Sequence, residues 1–95
     1  MGESIIIMPE IFAVDEAARF RESVLVYFNG KSGEPVHLVL DFSTCQFIDS
    51  TGLGVIVSTY KKCLEVGGNL KLKSLSANVM KVFEMTRLHR VFEIL

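Results

Sequence analysis

Apolar residues along this chain recur with two different spacings, and the two spacings alternate from one end of the sequence to the other. Short apolar runs fill residues 4–8 and 36–40, and the second run is almost continuously apolar, which is typical of a parallel strand buried on both faces. Residues 69–73 alternate between polar and apolar, which indicates a strand with one face in solvent, near an edge of the sheet. Residues 91–94 predict a last short strand or docking segment.

Between these runs, apolar residues are spaced three and four positions apart, which predicts helices over residues 15–29, 51–66 and 77–87. Ser76 is placed to cap the third of these helices. Because strands alternate with helices, we predict an α/β fold in which helices pack on a central, mostly parallel sheet of about four strands. The apolar stripe predicted for the second helix consists of Leu53, Ile56, Val57, Tyr60 and Leu64. The other predicted core residues are Val39, Leu40 and Phe83, and the lysines predicted to be exposed are Lys61, Lys62, Lys71 and Lys73.

The overall composition is that of a globular domain, and we expect residues 1–95 to form a single one. Hydrophobic residues make up 49% of the chain and charged residues 22%, which argues against a disordered chain. The net charge of −1 argues against nucleic acid or an anionic membrane as the main partner, because both select for a basic face. No apolar run approaches the ~20 residues of a membrane span, and the first residues lack a secretory signal. We therefore expect a cytoplasmic protein without direct membrane insertion.

The cysteines and histidines do not form a recognisable catalytic or metal-binding pattern. Cys45 and Cys63 are 18 residues apart, with no C-x-x-C spacing and no histidine pair nearby, so we expect two reduced packing residues. His37 falls in a strand predicted to be buried and is expected to be structural, whereas His89 follows a helix and is expected at the surface. These positions predict no metal site.

Two familiar enzyme motifs also fail on spacing. A hydrolase nucleophile elbow requires a glycine where this chain has Ile48. A phosphate-binding loop requires a Gly-Lys-Ser/Thr triplet, and none follows Gly52 or Gly54. We therefore expect a binding protein without enzymatic activity and without a cofactor.

The segment at residues 49–54 is the strongest candidate for a functional site. It joins the exit of a buried strand to the start of a helix, and functional sites of open α/β sheets gather in such loops. Asp49 or Ser50 is expected to cap the helix, which would place the Ser50 hydroxyl beside unpaired backbone N–H groups. Gly52 and Gly54 remove side chains from the first turn, so that another surface could approach its backbone. A cap alone accounts for one polar residue but not for this whole combination.

Several segments together resemble the STAS-domain family, which includes the bacterial anti-sigma-factor antagonists. The resemblance covers residues 36–95, and its most specific part is the run Asp-Ser-Thr-Gly-Leu-Gly at residues 49–54. The other matching segments are residues 39–42, 67–72, 82–88 and 91–94.

This resemblance implies a partner-switching mechanism. Ser50 would be phosphorylated by a serine kinase that doubles as an anti-sigma factor. The dephosphorylated protein would bind that kinase and free a sigma factor, and a serine phosphatase would reset the switch. The residues that would shape the surroundings of Ser50 are Asp49, Thr51, Gly52, Leu53, Gly54 and, at the end of the preceding strand, Asp41.

The first third of the chain departs from the family pattern. Family members usually open with two strands, whereas the sequence predicts only one before Pro9. Phe12 stands where many members carry an acidic residue, so a contact made by that residue is not implied here. Other readings remain open. They are a STAS subunit of an ABC-type lipid transporter, a partner-switching regulator of another output such as type III secretion, and an enzyme or nucleotide-binding protein.

Overall fold

The computed structural model describes residues 2–29 and 34–95, and its centre is a four-stranded parallel sheet. The strands are β1 (Ser4–Ile7), β2 (Ile11–Phe12), β3 (His37–Asp41), β4 (Phe47–Ile48), β5 (Asn69–Lys73) and β6 (Glu93–Ile94). The order in the four-stranded sheet is β1-β3-β5-β6, and β2 and β4 form a separate pair, which is also parallel. This confirms the predicted mostly parallel sheet of about four strands.

The helices lie close to their predicted positions. They are α1 (Val14–Phe28), α2 (Ser50–Glu65) and α3 (Ala77–Met85), followed by a 3-10 turn at Leu88–Arg90. Ser76 caps α3 as expected, since its hydroxyl oxygen accepts a hydrogen bond from the Val79 N–H. The last helix ends two residues earlier than predicted, because Arg87 adopts the left-handed conformation with φ 63°. The sequence predicts a helix stop at residues 29–30 and a turn-rich connector at residues 31–35, and of these residues 30–33 lie outside the described residues.

One face of the sheet packs against the helices and forms the core. Side chains in a strand alternate between the two faces, and Leu38 and Leu40 of β3 share the core face with Leu70 and Leu72 of β5. The predicted core residues Leu53, Ile56, Val39, Leu40 and Phe83 are all buried, while Val57 and Tyr60 are partly buried.

Several burial predictions were wrong at individual positions. His37 is exposed, because it is the first residue of β3 and lies at the rim of the sheet instead of its centre. Leu64 is also exposed, and Cys63 occupies the core position on that turn of α2. The strand β5 does lie near an edge of the sheet as predicted, with only the two-residue β6 beyond it in the described residues. Of the four lysines predicted to be exposed, Lys61 is exposed. The other three are half-buried, namely Lys62, Lys71 and Lys73.

The first third of the chain contains a second strand that the sequence did not predict. β2 begins two residues after Pro9, and it pairs with β4, which lies in residues 43–48, where the sequence predicts a loop. Each has two residues, which is too short to produce a periodic pattern. The N–H groups of Gln46 and Phe47 donate to the Glu10 carbonyl and extend this pairing.

Both cysteines are free and completely buried, which confirms that they are reduced packing residues. Burial raises the pKa of the Cys63 thiol from 9.0 to about 11. Burial also raises the pKa of Cys45, against a smaller opposing effect of backbone hydrogen bonding with Phe47.

Candidate functional site

Asp49 is the residue that caps α2. Its backbone is extended, and its Oδ1 accepts a hydrogen bond from the Gly52 N–H at 2.9 Å. Its own N–H donates to the Phe12 carbonyl at 3.4 Å, and its carbonyl accepts from the Leu53 N–H at 3.0 Å. The side chain and the backbone of Asp49 are therefore both engaged in holding the start of the helix.

Ser50 is the first residue of α2, and both it and Thr51 are exposed. The hydroxyl of Ser50 makes no side-chain hydrogen bond to any other residue in the part of the chain that the structure describes. Because Asp49 already caps the helix, Ser50 has no structural task at this position. Its hydroxyl is accessible to another protein, and it lies at the positive end of the helix dipole.

The two glycines of the first turn have different surroundings. A Cβ atom at Gly52 would lie 2.4 Å from the Phe12 carbonyl oxygen and 2.7 Å from the Phe12 ring. A Cβ atom at Gly54 would meet nothing within 4 Å, and Gly54 is exposed. The first turn of the helix therefore has open space at Gly54 but not at Gly52. At Gly52 the approaching surface is strand β2 of the same chain.

Phe12 is a core residue in this protein. It has no exposed surface, and its ring packs edge-on against Phe20 of α1 with the centroids 5.3 Å apart. Its carbonyl accepts the Asp49 N–H, so β2 supports the start of α2 directly. A buried aromatic side chain cannot replace a surface carboxylate in contacting a partner.

Asp41 ends β3, and the hydrogen bonds of the described residues do not connect it to residues 49–54. The pKa of its carboxyl group is lowered mainly because the Ser43 backbone N–H donates to Oδ1 at 2.8 Å, with further contributions from the Ser43 side chain and the charge of Lys73. The Asp41 carbonyl accepts the Met8 N–H and ties the ends of β1 and β3 together. Asp41 therefore organises the loop that follows β3.

Sequence reasoning missed an exposed apolar patch beside Ser50. Ile11, Val14 and Phe47, which we call the β2–β4 patch, are 53%, 61% and 53% exposed. Ile11 and Phe47 are paired across the two short strands, and Ile11 and Val14 line a groove of about 390 Å³. Phe47 precedes Ser50 by three residues, so their Cα atoms lie within about 11 Å. Only the pairing of β2 with β4 brings these residues together, and no sequence signal predicted that pairing.

The described residues contain no group of three or more His, Cys, Asp or Glu side chains that could hold a metal ion. In the same part of the chain, no helix combines the length and the apolar character needed to cross a membrane.

The fold and the arrangement at residues 49–54 identify the class of protein. The family model of the STAS domain matches residues 9–95, and the chain belongs to the STAS-domain family.

Among individual proteins, the chain is similar to the anti-sigma-B factor antagonist of Bacillus subtilis. The two are 44% identical over 48 residues, which is 50% of this chain and 44% of that protein. The matched part thus spans less than half the length of this relative.

Solved structures extend the similarity to nearly the whole chain. The anti-sigma-factor antagonist (STAS) domain protein from Planctomyces limnophilus has a TM-score of 0.81 at 19% identity, covering 95% of this chain and 79% of that one. A sulfate transporter family protein from Wolinella succinogenes has a TM-score of 0.80 at 18% identity, covering 97% of this chain and 75% of that one. At these identities the two structures share the fold alone.

Proposed function

We propose that this protein is an anti-sigma-factor antagonist whose binding is switched by phosphorylation of Ser50. In the dephosphorylated state it binds an anti-sigma factor that is also a serine kinase, and the sigma factor is released. Phosphorylation of Ser50 ends this binding, and a serine phosphatase restores it. The protein itself has no catalytic role. The observation that carries the proposal is that Ser50 is exposed at the start of α2, next to the β2–β4 patch. Its hydroxyl makes no hydrogen bond to the described residues.

The fold should tolerate a phosphate at this position. A phosphoserine carries a charge of about −1.5 to −2 and three acceptor oxygens, and the start of a helix favours such a group by about 0.3–1 kcal/mol. Asp49 is the only acidic residue of residues 42–55, and its Oδ1 already accepts the Gly52 N–H. The added charge therefore has a favourable helix end beside it, and Asp49 is the carboxylate next to it in the sequence.

The same phosphate should prevent a partner from closing over the site. A partner that covers the β2–β4 patch removes water from three large apolar side chains, and exposed patches of this kind are typical of interaction surfaces. The phosphate on Ser50 would lose its water in that interface beside the Asp49 carboxylate. Desolvation and like-charge repulsion there would cost several kcal/mol, which is enough to abolish binding.

The similarity to the Bacillus subtilis antagonist supports this reading over a constitutive transporter subunit. The match to the transporter family protein is one of fold, at 18% identity, and brings no site residue with it. The contribution of Gly54 is to keep the exposed side of the first turn free of a side chain, so that the partner can approach the backbone.

The test has two parts, a phosphorylation assay and a binding measurement, both with kinase-type anti-sigma factors from the same genome. Incubation with ATP and each candidate kinase, followed by intact-mass analysis, should add one phosphate to the wild type and none to Ser50→Ala. Thr51→Ala is the matched control, because Thr51 is also exposed beside the same helix end, and it should be phosphorylated like the wild type.

Calorimetric titration then measures binding of the wild type, Ser50→Ala, Ser50→Asp and the phosphoprotein. The first two should bind alike, Ser50→Asp at least tenfold more weakly (about 1.4 kcal/mol), and the phosphoprotein more weakly still. Thermal melts should show that all four forms are folded. Equal affinities for all four would contradict the switch and favour a constitutive binding subunit.

A further inference from the structure

Among the described residues, the strand β1 forms an open edge of the sheet, and its four residues include none of the side chains that usually block such an edge. It lies at the end of the order β1-β3-β5-β6 and has the sequence Ser-Ile-Ile-Ile, without a charge or a proline. Natural edge strands are normally blocked by lysine, proline, a bulge or a covering segment, because free backbone groups recruit another strand.

The direction of the backbone groups shows what this edge offers. The Met8 N–H donates to the Asp41 carbonyl at 2.8 Å and therefore points toward β3. Successive residues of a strand direct their backbone groups to opposite sides, so Ile6 also points toward β3, whereas Ile5 and Ile7 point to the open edge. The side chains of Ile5 and Ile7 lie on the face opposite the core and are 59% and 68% exposed.

We propose that β1 pairs with β1 of a second copy of this chain, in the antiparallel direction, with Ile5 of each copy opposite Ile7 of the other. The two sheets would then join into one sheet of eight strands. This interface is separate from the switch at Ser50, and the proposal does not rest on it.

Two copies of β1 can pair with each other because their outward backbone groups match in one antiparallel alignment. With the two-fold axis at Ile6, the outward N–H and C=O groups of Ile5 meet those of Ile7, and each such pair exchanges two hydrogen bonds. An axis at Ile7 would place Ile5 opposite Pro9, which has no N–H, and an axis at Ile5 would place Ile7 opposite the charged Glu3. An axis between two residues would oppose outward groups to inward ones. One register remains. Its central pairs are Ile5 with Ile7 and Ile6 with Ile6, and all of them are apolar.

The side of the edge that faces α1 also suits a second copy. A groove of about 290 Å³ runs there, with Ile6 and Phe20 among its lining residues. The charged residues lining it, Glu16 and Arg19, form an ion pair with each other, so the lining of this groove adds no net charge to the contact between two copies.

Sedimentation velocity of the full chain from about 5 µM to 1 mM tests the proposal. The wild type should shift from monomer toward dimer as its concentration rises. Ile5→Lys and Ile7→Lys should each weaken the dimer at least tenfold, since each places a lysine against an apolar partner residue. Leu64→Lys, which changes an equally exposed apolar residue on α2, should dimerise like the wild type.

Backbone involvement is tested separately by Ile5→Pro, which removes an N–H that points to the open edge rather than to β3 and should also weaken the dimer. Hydrogen exchange should show that the amides of Ile5 and Ile7 become protected as the concentration rises. A monomer at all concentrations would overturn the proposal, as would a dimer that Leu64→Lys weakens as much as Ile5→Lys does. A dimer without protection of these two amides would overturn the strand pairing.

Discussion

At the scale of single residues, the first turn of α2 combines a cap, a free hydroxyl and two glycines with different neighbours. The sequence placed all of them at the start of a helix, and it left open whether Asp49 or Ser50 was the cap. The choice depends on Phe12, whose carbonyl accepts the Asp49 N–H and lies against Gly52. Because β2 was not predicted, neither contact could be predicted.

Replacing each glycine by alanine should change stability in opposite directions. Gly54→Ala should raise the free energy of unfolding by about 0.5–1 kcal/mol, because alanine favours a helix and the added methyl group meets open space. Gly52→Ala should lower it by about 1–3 kcal/mol, because the methyl group would collide with the Phe12 backbone.

Urea denaturation of both variants measures this difference. Equal stabilisation by the two changes would mean that Phe12 of β2 does not pack closely against Gly52 of α2. Under the proposed function, Gly54→Ala should also bind the anti-sigma factor more weakly despite its greater stability.

At the scale of elements, helices were easier to predict than short strands. The three helices were found because each repeats an apolar spacing over several turns, whereas β2 and β4 have two residues each and are defined only by pairing with each other. The β2–β4 patch was missed for the same reason. The stripe of α2 was predicted correctly near its start and wrongly at Leu64, since Cys63 faces the core on that turn.

The corrected stripe of α2 predicts a contrast between two truncations. Ile56 has no exposed surface, so Ile56→Ala should cost about 2–5 kcal/mol of unfolding free energy. Leu64 is 49% exposed, so Leu64→Ala should change it by about 0.5 kcal/mol or less. Chemical denaturation of the two variants under identical conditions provides the measurement. Similar losses would show that the helix is rotated relative to the core.

At the scale of the whole molecule, the fold class followed from the alternation of strands and helices. The predicted strand buried on both faces is confirmed at the centre of β3, where Leu38, Val39 and Leu40 are all buried. The prediction of a buried His37 was wrong, because His37 lies at the rim of the sheet. Strand order and the exposed edge of β1 depend on long-range pairing, which a local pattern does not contain.

Stability should fall in alkaline solution because of Cys63. Its pKa is about 11 in the fold against 9.0 as the ordinary value, so above pH 9 the unfolded chain loses this proton more readily than the folded protein. The effect of Cys63 ionisation on the free energy of unfolding is small below pH 9. It grows to a loss of about 2–3 kcal/mol as the pH rises to about 11.

Thermal melts from pH 8 to 11 should therefore decline more steeply for the wild type than for Cys63→Ala. The variant should start from a lower melting temperature at pH 8, because the substitution leaves a small cavity. Parallel curves for the two proteins would show that Cys63 does not titrate as its burial implies.

The separation of the cap from the free hydroxyl has a consequence for a population of molecules. Asp49 caps α2 without using the Ser50 hydroxyl, so we expect the protein to stay folded when a phosphate is added to Ser50 or removed from it. Under the proposed switch, the fraction of dephosphorylated, active antagonist would then depend on the ratio of kinase to phosphatase activity. Degradation of misfolded protein would not change that fraction. A cell could reuse the same molecules through many rounds, and its response could follow a change in that ratio without new synthesis.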